Sequence, residues 1–173
     1  MLKNKHFWSA VMMVLIIAFD QVTKWLAKTL LPDRGAVPFI RGVVEFTYSE
    51  NTGVAFSMLS GARWLLIALT GVVAVGCTVY MYRSRAAKQS LWLYWTLGVI
   101  ISGAFGNLID RVRLGYVIDF INPVFVDFAV FNIADCAITL GTVSLVAYLV
   151  CDMAREAKRE KESADEQADL PDG

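Results

Sequence analysis

Four long apolar segments are the feature that most restricts what this chain can fold into. They lie at about 7–28, 64–82, 91–109 and 131–151, and each is close to the roughly 20 residues that a helix needs to cross the bilayer core. Only 18% of the residues are charged, against roughly 25% in an ordinary globular domain. The sequence therefore predicts an all-α integral membrane protein, with four transmembrane helices in a single domain over about residues 1–163.

The distribution of basic residues predicts the orientation of these helices. Lysines and arginines precede the first helix, lie between the second and third, and follow the fourth: Lys3, Lys5, Arg83, Arg85, Lys88, Arg155, Lys158, Arg159 and Lys161. By the positive-inside rule both termini are cytoplasmic, and the loops at about 29–62 and 110–130 face outward. The charged segment 164–173 is expected to be a disordered tail. The formal net charge is zero, and no basic patch indicates a nucleic-acid partner.

The first outer loop contains a strand pattern. In "GVVEFTYSENTGVAFSML", the apolar residues Val44, Phe46 and Tyr48 alternate with polar neighbours, which is typical of a half-buried β-strand. The sequence "NTG" at 51–53 then indicates a turn, from which a second apolar strand is expected to return. We therefore expect a small β-cradle on the outer membrane face, over about residues 36–60.

Polar residues gather at the outer ends of three of the four helices. They share helix faces at spacings of three or four residues: Asp20, Thr23 and Lys24 in the first helix, Asn107, Asp110 and Arg111 at the end of the third, and Asn132, Asp135, Thr139 and Thr142 in the fourth. In the third helix Gly98, Ser102 and Gly106 recur every four residues, a pattern that lets helices approach closely. This stripe can pack within the bundle or between chains, and we favour packing within a monomer.

Several of these residues also have purely structural interpretations. Asp20 and Lys24, four residues apart, can pair within their helix, and Asp110 beside Arg111 can form an interfacial ion pair at a helix end. Asn132 can cap the fourth helix as readily as it can bind a ligand. Asp127 lies in mid-loop without polar neighbours and is interpreted as solvated. Asp135 differs, because an acid one turn inside an apolar helix is costly and is by default a functional candidate.

The residue types present restrict the chemistry that the outer face can perform. The single histidine, His6, precedes the first helix on the cytoplasmic side, which argues against histidine metal sites and Ser-His or Cys-His catalysis at the outer face. Two carboxylates, Asp119 and Asp135, remain. A close pair of aspartates shares one proton, so that the ionised member activates water and the protonated member polarises a carbonyl. Such a pair hydrolyses peptide bonds without a metal or other cofactor, although spacing alone does not establish that these two residues meet.

Four sequence blocks make the chain recognisable. The blocks "DQVTK" (20–24), "ENTGVAFS" (50–57), "GNLIDRVRLGYVIDFI" (106–121) and "FNIADCAIT" (131–139) resemble, in order and spacing, the motifs of the lipoprotein signal peptidases, also called signal peptidase II. The only small difference is Ser102-Gly103, where a Gly-Gly pair is common in that family.

The resemblance implies a fold, an activity and a set of site residues. It implies an aspartic endopeptidase of the bacterial inner membrane, built as a four-helix bundle with an outer β-cradle, that removes signal peptides from diacylglyceryl-modified prolipoproteins just before the lipidated cysteine. It places the catalytic dyad on Asp119 and Asp135. The remaining matched positions divide into two groups: Asn51, Asn107, Arg111 and Asn132 lining the substrate site, and Asp20, Lys24 and Asp110 in more structural places. The family is also the target of the cyclic peptide globomycin.

Two other classes of protein would carry similar acids. In a small transporter or proton channel they would form a relay, although neither internal repeats nor helices broken at the midplane are evident here. In a structural helper the polar pairs would serve assembly alone. Both alternatives predict that Asp119→Asn and Asp135→Asn leave prolipoprotein cleavage unchanged.

Overall fold

The chain forms a helical bundle with a small sheet at one end. The computed structural model describes residues 4–53, 61–84 and 90–168, with side chains described up to residue 163. In chain order the elements are α1 (Lys5–Leu30), β1 (Val37–Ile40), β2 (Val44–Asn51), α2 (Arg63–Arg83), α3 (Leu91–Arg113), β3 (Val117–Pro123) and α4 (Ile133–Ala168).

Within the described residues, four helices are long and apolar enough to cross a membrane. They correspond to α1, α2, α3 and the first 31 residues of α4, which confirms the four predicted spans. Of the most apolar stretch of α3, 61% of the residues are buried inside the protein, against 17% for both α1 and α2. Helix α3 is therefore the centre of the bundle, and the other helices present mainly lipid-facing apolar surface.

Small residues explain why α3 can occupy the centre. A Cβ atom at Gly98 would lie 3.0 Å from Met12 Cε, and one at Gly106 would lie 2.6 Å from Asp20 Oδ2. Ser102, between them, is fully buried and donates its hydroxyl to Gly98 O at 2.7 Å. The stripe of small residues therefore packs against α1 of the same chain, as the sequence favours, and it lets α1 approach α3 closely.

The three strands form one antiparallel sheet in the order β1-β2-β3. Strand β2 confirms the strand predicted from the alternating pattern, and Val37 pairs with Phe46 across β1 and β2. Ser49 of β2 lies opposite Asp119 of β3. Residues 54–60, where a returning strand is predicted, lie outside the described residues.

Two sequence-based expectations need correction. The segment 110–130 was expected to be loop, but Val117–Pro123 forms β3, because its backbone groups pair with β2, which leads directly into the turn at 51–53. The expected disordered tail, 164–173, begins too early, since α4 continues to Ala168. Good helix formers, among them Ala164, Glu166, Gln167 and Ala168, favour continuation of the helix there. Residues 169–173 lie outside the described part of the chain.

Candidate active site

Asp119 lies within β3, and its side chain points toward Asn51 and Asn132. Its side chain is only 2% exposed. Its Oδ2 accepts a hydrogen bond from Asn51 Nδ2 at 2.9 Å, and its Oδ1 accepts one from Asn132 Nδ2 at 2.6 Å. Asn51 is oriented by its own turn, because its Oδ1 accepts the Gly53 N–H at 2.9 Å and so directs the amide nitrogen at Asp119.

The surroundings of Asp119 favour its protonated form. Burial is the main cause, and the nearby Asp135 carboxylate adds to it, so that the pKa of Asp119 rises to about 6. Hydrogen bonds from Asn51 and Asn132 and the charge of Lys24 oppose this rise. Asp119 is therefore a carboxyl group that exchanges a proton close to neutral pH, as a general acid or base must.

Asp135 lies in the first turn of α4, where it takes part in a reciprocal cap. Its N–H donates to Asn132 Oδ1 at 3.0 Å, and its Oδ2 accepts the Asn132 N–H at 3.2 Å. This is the geometry of a capping box. Its Oδ1 accepts a third hydrogen bond, from Asn107 Nδ2 at 2.7 Å. The sequence predicts Asp135 one turn inside an apolar helix. In the structure the helix begins at Ile133, so Asp135 lies in its first turn, where polar groups surround it.

Two asparagines connect the carboxylates. Asn132 Nδ2 donates both to Asp119 Oδ1 and, at 3.2 Å, to Asn107 Oδ1, while Asn107 donates to Asp135. Asn132 therefore caps α4 and contacts the candidate dyad at once, although the sequence left these roles as alternatives. Because Asn132 is fully buried, it lies behind the wall of the site rather than on its open surface.

Both aspartates border one cavity of about 640 Å³. Its polar wall consists of the two aspartates with Asn51, Asn107 and Arg111, and its remaining wall is largely apolar, including Phe128, Val130, Phe131, Ile138 and Leu140. Thr70 of α2 and Thr139 of α4 also line it. The cavity therefore extends from the two carboxylates into apolar surroundings between α2 and α4.

Arg111 supplies the positive charge of this cavity. Its Nη2 donates to Gly53 O at 2.9 Å, which ties the end of α3 to the turn that carries Asn51. The side chain is 7% exposed, and its Nε is buried without a hydrogen-bond partner among the described residues. A buried donor of this kind is costly to leave unpaired, so a carbonyl oxygen entering the cavity would satisfy it.

Beside the cavity lies a closed ion cluster formed by Asp20, Lys24 and Asp110. Lys24 Nζ is 3.0 Å from Asp20 Oδ2 and 3.0 Å from Asp110 Oδ2, and all three side chains are at most 3% exposed. The predicted i,i+4 pair of Asp20 and Lys24 is confirmed. The alternative of an ion pair between Asp110 and Arg111 is wrong, because the buried Lys24 is the cation that reaches Asp110.

Sequence reasoning missed two residues of this region. Gln21 donates its amide to Asp110 Oδ1 at 3.0 Å and to Gly106 O at 3.2 Å. Arg63, at the start of α2, donates to Arg111 O at 2.9 Å and to Val112 O at 2.7 Å, so it caps the C-terminal end of α3. Two sequence features could have indicated these residues. Gln21 lies inside the "DQVTK" block, and Arg63 is the charged residue directly before the uncharged segment 64–82. Asp127 is exposed, as its interpretation as a solvated loop residue predicts.

No group of three or more His, Cys, Asp or Glu side chains is placed to hold a metal ion within the part of the chain that the structure describes. The charges around the dyad are instead those of Lys24 and Arg111. The arrangement is that of two carboxyl groups held by neutral amides at the edge of a cavity.

Comparison with known proteins identifies the family. The profile of the family described as Signal peptidase (SPase) II matches residues 12–151. The chain belongs to the signal peptidase II family. The resemblance inferred from the motifs is thereby confirmed, and membership makes the chain an aspartic peptidase and, with its four apolar helices, a multi-pass membrane protein. The transporter and structural alternatives are excluded.

Individual relatives agree with this assignment. Lipoprotein signal peptidases of Streptococcus pyogenes serotypes M6 and M5 are each 41% identical to the chain over 137 residues, which are 79% of this chain and 89% of the relative. Two solved structures of bacterial membrane enzymes, obtained by the in meso method, share the fold. One has a TM-score of 0.79 and 32% identity, covering 85% of this chain and 90% of the other. The second has a TM-score of 0.74 and 31% identity, covering 82% and 91%.

Proposed function

We propose that this signal peptidase II removes signal peptides from diacylglyceryl-modified prolipoproteins, with Asp119 and Asp135 as its catalytic dyad. The family assigns it the removal of signal peptides from prolipoproteins, and the dyad, the lipid on the substrate and the cut just before the lipidated cysteine are our proposal. The observation that carries it is that two carboxylates from separate elements, β3 and α4, border one cavity and are connected through Asn107 and Asn132.

In the proposed mechanism one aspartate is ionised and the other protonated. The ionised carboxylate takes a proton from water while the water oxygen attacks the scissile carbonyl carbon, and the protonated carboxyl gives its proton to the carbonyl oxygen. The tetrahedral intermediate then breaks its C–N bond as the nitrogen takes a proton from the first aspartate. The second recovers its proton from a hydroxyl of the intermediate. The products are the signal peptide carboxylic acid and the free amine of the cysteine.

The cavity wall supports this substrate class. Its apolar residues, Phe128, Phe131, Ile138 and Leu140 among them, suit acyl chains and the apolar end of a signal helix. Asn51, Asn107 and Arg111 lie beside the carboxylates, where their N–H groups can hold backbone carbonyls. Holding the scissile bond against the dyad is the positioning that makes an enzymatic step effectively unimolecular. We propose that globomycin-type cyclic peptides occupy the same cavity.

The membrane placement is also proposed. The basic residues of the sequence favour cytoplasmic termini, which puts the sheet and the dyad at the outer surface of the bacterial inner membrane. A substrate anchored by its signal helix and its lipid would then reach the cavity by diffusion within the membrane. The small-residue stripe is used between α1 and α3, which supports a monomeric enzyme.

The test is a gel-shift cleavage assay in detergent with purified protein and a diacylglyceryl-modified prolipoprotein. Asp119→Asn and Asp135→Asn should each lower kcat by about 10⁴-fold or more while retaining wild-type thermal unfolding profiles. Asp127→Asn is the matched control, because Asp127 is an exposed aspartate of the same region, and it should cut like wild type. An unlipidated substrate should not be cut, and EDTA should leave the rate unchanged. Efficient cleavage by either dyad variant would refute the mechanism.

A further inference from the structure

The residue immediately before each proposed catalytic aspartate is held by the ion cluster of Asp20, Lys24 and Asp110. The N–H of Ile118, which precedes Asp119, donates to Asp110 Oδ2 at 3.2 Å. The N–H of Ala134, which precedes Asp135, donates to Asp20 Oδ1 at 2.8 Å. The two carboxylates that pair with one lysine therefore each accept the backbone N–H of the residue that precedes one member of the dyad.

Lys24 also acts on a third side chain. Besides the two carboxylates, its Nζ donates to Asn107 Oδ1 at 2.9 Å, so all three N–H donors of the ammonium group have an acceptor. With its oxygen held by Lys24, Asn107 must direct its amide nitrogen to the opposite side, where it meets Asp135 Oδ1 at 2.7 Å. Lys24 thus reaches Asp119 through Asp110, and Asp135 through both Asp20 and Asn107.

We propose that Lys24 is a positioning residue of the peptidase, and that its three contacts fix the separation and orientation of Asp119 and Asp135. The proposal rests on the dyad assigned above. Lys24 does not border the cavity and touches neither aspartate of the dyad in the described contacts. Its effect is exerted through the backbone at Ile118 and Ala134 and through the amide of Asn107.

Physical reasoning favours this role over simple stabilisation. A fully buried ion pair gains little net stability over apolar packing of the same volume, because desolvation of the charges offsets their attraction. Geometry is a different matter, since a catalytic group displaced by about 1 Å can lose about 100-fold in rate. A cluster that ties α1, α3, β3 and α4 at one point restricts such displacement of both carboxylates at once.

Lys24 should also affect the protonation of the dyad. The charged groups facing Asp119 are Asp135 from α4, Lys24 from α1 and Arg111 from α3. Among them the Lys24 charge lowers the pKa of Asp119, whereas Asp135 raises it. Loss of the Lys24 charge would therefore raise the pKa of Asp119 further and move the bell-shaped pH–rate profile to higher pH.

The test compares Lys24→Met with Lys28→Met in the cleavage assay. Lys28 is one turn further along α1, is exposed, and bonds Tyr116 Oη at 3.0 Å, so it controls for the loss of a lysine from the same helix. Lys24→Met is expected to lower kcat by about 100-fold, to change KM by less than about threefold, and to shift the pH–rate profile upward. Lys28→Met should match wild type in all three measurements.

A second variant covers the case in which Lys24→Met fails to fold because it leaves two buried carboxylates without a cation. Asp20→Asn combined with Lys24→Met keeps the net charge of the cluster and should restore the folded state. Its kcat should stay low at a wild-type KM, since Asn107 Oδ1 still lacks the Lys24 donor. The positioning role of Lys24 would be refuted if either folded variant had a wild-type kcat and Lys24→Met had an unchanged pH profile. In that case Asp119→Asn would still be inactive, and the dyad assignment would stand. An active Asp119→Asn would instead refute the dyad itself.

Discussion

Two pairs of aspartates lie at the same end of this bundle, and their surroundings differ. Asp20 and Asp119 are almost equally buried, at 1% and 2% exposure, so burial alone does not distinguish these two residues. Asp20 and Asp110 share a lysine at 3.0 Å, whereas Asp119 and Asp135 are held by amide N–H groups and border a cavity. The first pair thus has a cation in direct contact. The second pair is fixed in position by neutral amide groups, without an ion pair among the described residues.

Removal of Lys24 is the most direct test of the difference between the two pairs of aspartates. Lys24→Met leaves two buried carboxylates unpaired, which should lower the free energy of unfolding by about 3–5 kcal/mol, whereas Asp119→Asn should leave the fold intact. Thermal unfolding of both variants in detergent measures the difference. Equal stability of Lys24→Met and wild type would mean that the two pairs of aspartates are not distinguished by their partners.

The pH dependence of stability sharpens the comparison. The pKa of Asp119 is about 6 in the folded protein, against an ordinary value of 3.8, so the folded state holds this proton more tightly than the unfolded chain. The stabilisation is complete below pH 3.8 and is lost as the pH rises through 6, by about 3 kcal/mol in total.

Asp119→Asn cannot lose that proton. Its unfolding free energy relative to wild type should therefore rise by about 2.5 kcal/mol between pH 4 and pH 8, as followed by thermal unfolding at both pH values. Asp127→Asn should track wild type across this range. A difference that does not depend on pH would show that burial leaves Asp119 ionised.

A smaller effect is expected from the glycine that admits Asp20 to the ion cluster. Gly106→Ala places a Cβ atom 2.6 Å from Asp20 Oδ2 and 3.0 Å from Ala134 Cβ, which should cost about 1–3 kcal/mol through overpacking. Gly71→Ala in α2, where nothing lies within 4 Å of the new atom, is the matched control and should be neutral or slightly stabilising. Similar unfolding temperatures for the two variants would contradict the tight contact between α1 and α3.

Much of this arrangement was predictable from the sequence, for reasons that individual elements illustrate. The four spans follow from apolar runs near 20 residues, a signal that depends on composition alone. Strand β2 follows from alternation, because its alternate residues Phe46 and Tyr48 pack on the apolar cluster that includes Ala27 of α1. Strand β3 lacks that signal, since Val117 to Phe120 are all buried. With both faces of the strand covered, its residues do not alternate between an apolar and a polar face.

The contacts within the site were not predictable in the same way. Nothing in local sequence states that Asp110 reaches Lys24 rather than its neighbour Arg111, because that choice depends on how α1 packs on α3. The role of Arg63 as a cap for α3 likewise depends on the approach of two helix ends that are 48 residues apart in sequence. The motif blocks indicate the candidate site residues, whereas their division into ion pairs and amide-held acids required the folded structure.

The uninterrupted course of α4 has a consequence for the setting in which the enzyme works. Asp135 lies in the first turn of a single helix of 36 residues, which at 1.5 Å per residue is about 54 Å long, well beyond the roughly 30 Å hydrocarbon core. Because the helix is unbroken, it meets a change in bilayer thickness by tilting or by deforming the surrounding lipid, and either response moves Asp135 relative to the headgroups. We therefore expect lipid composition to affect how well the proposed dyad and a membrane-anchored scissile bond are aligned.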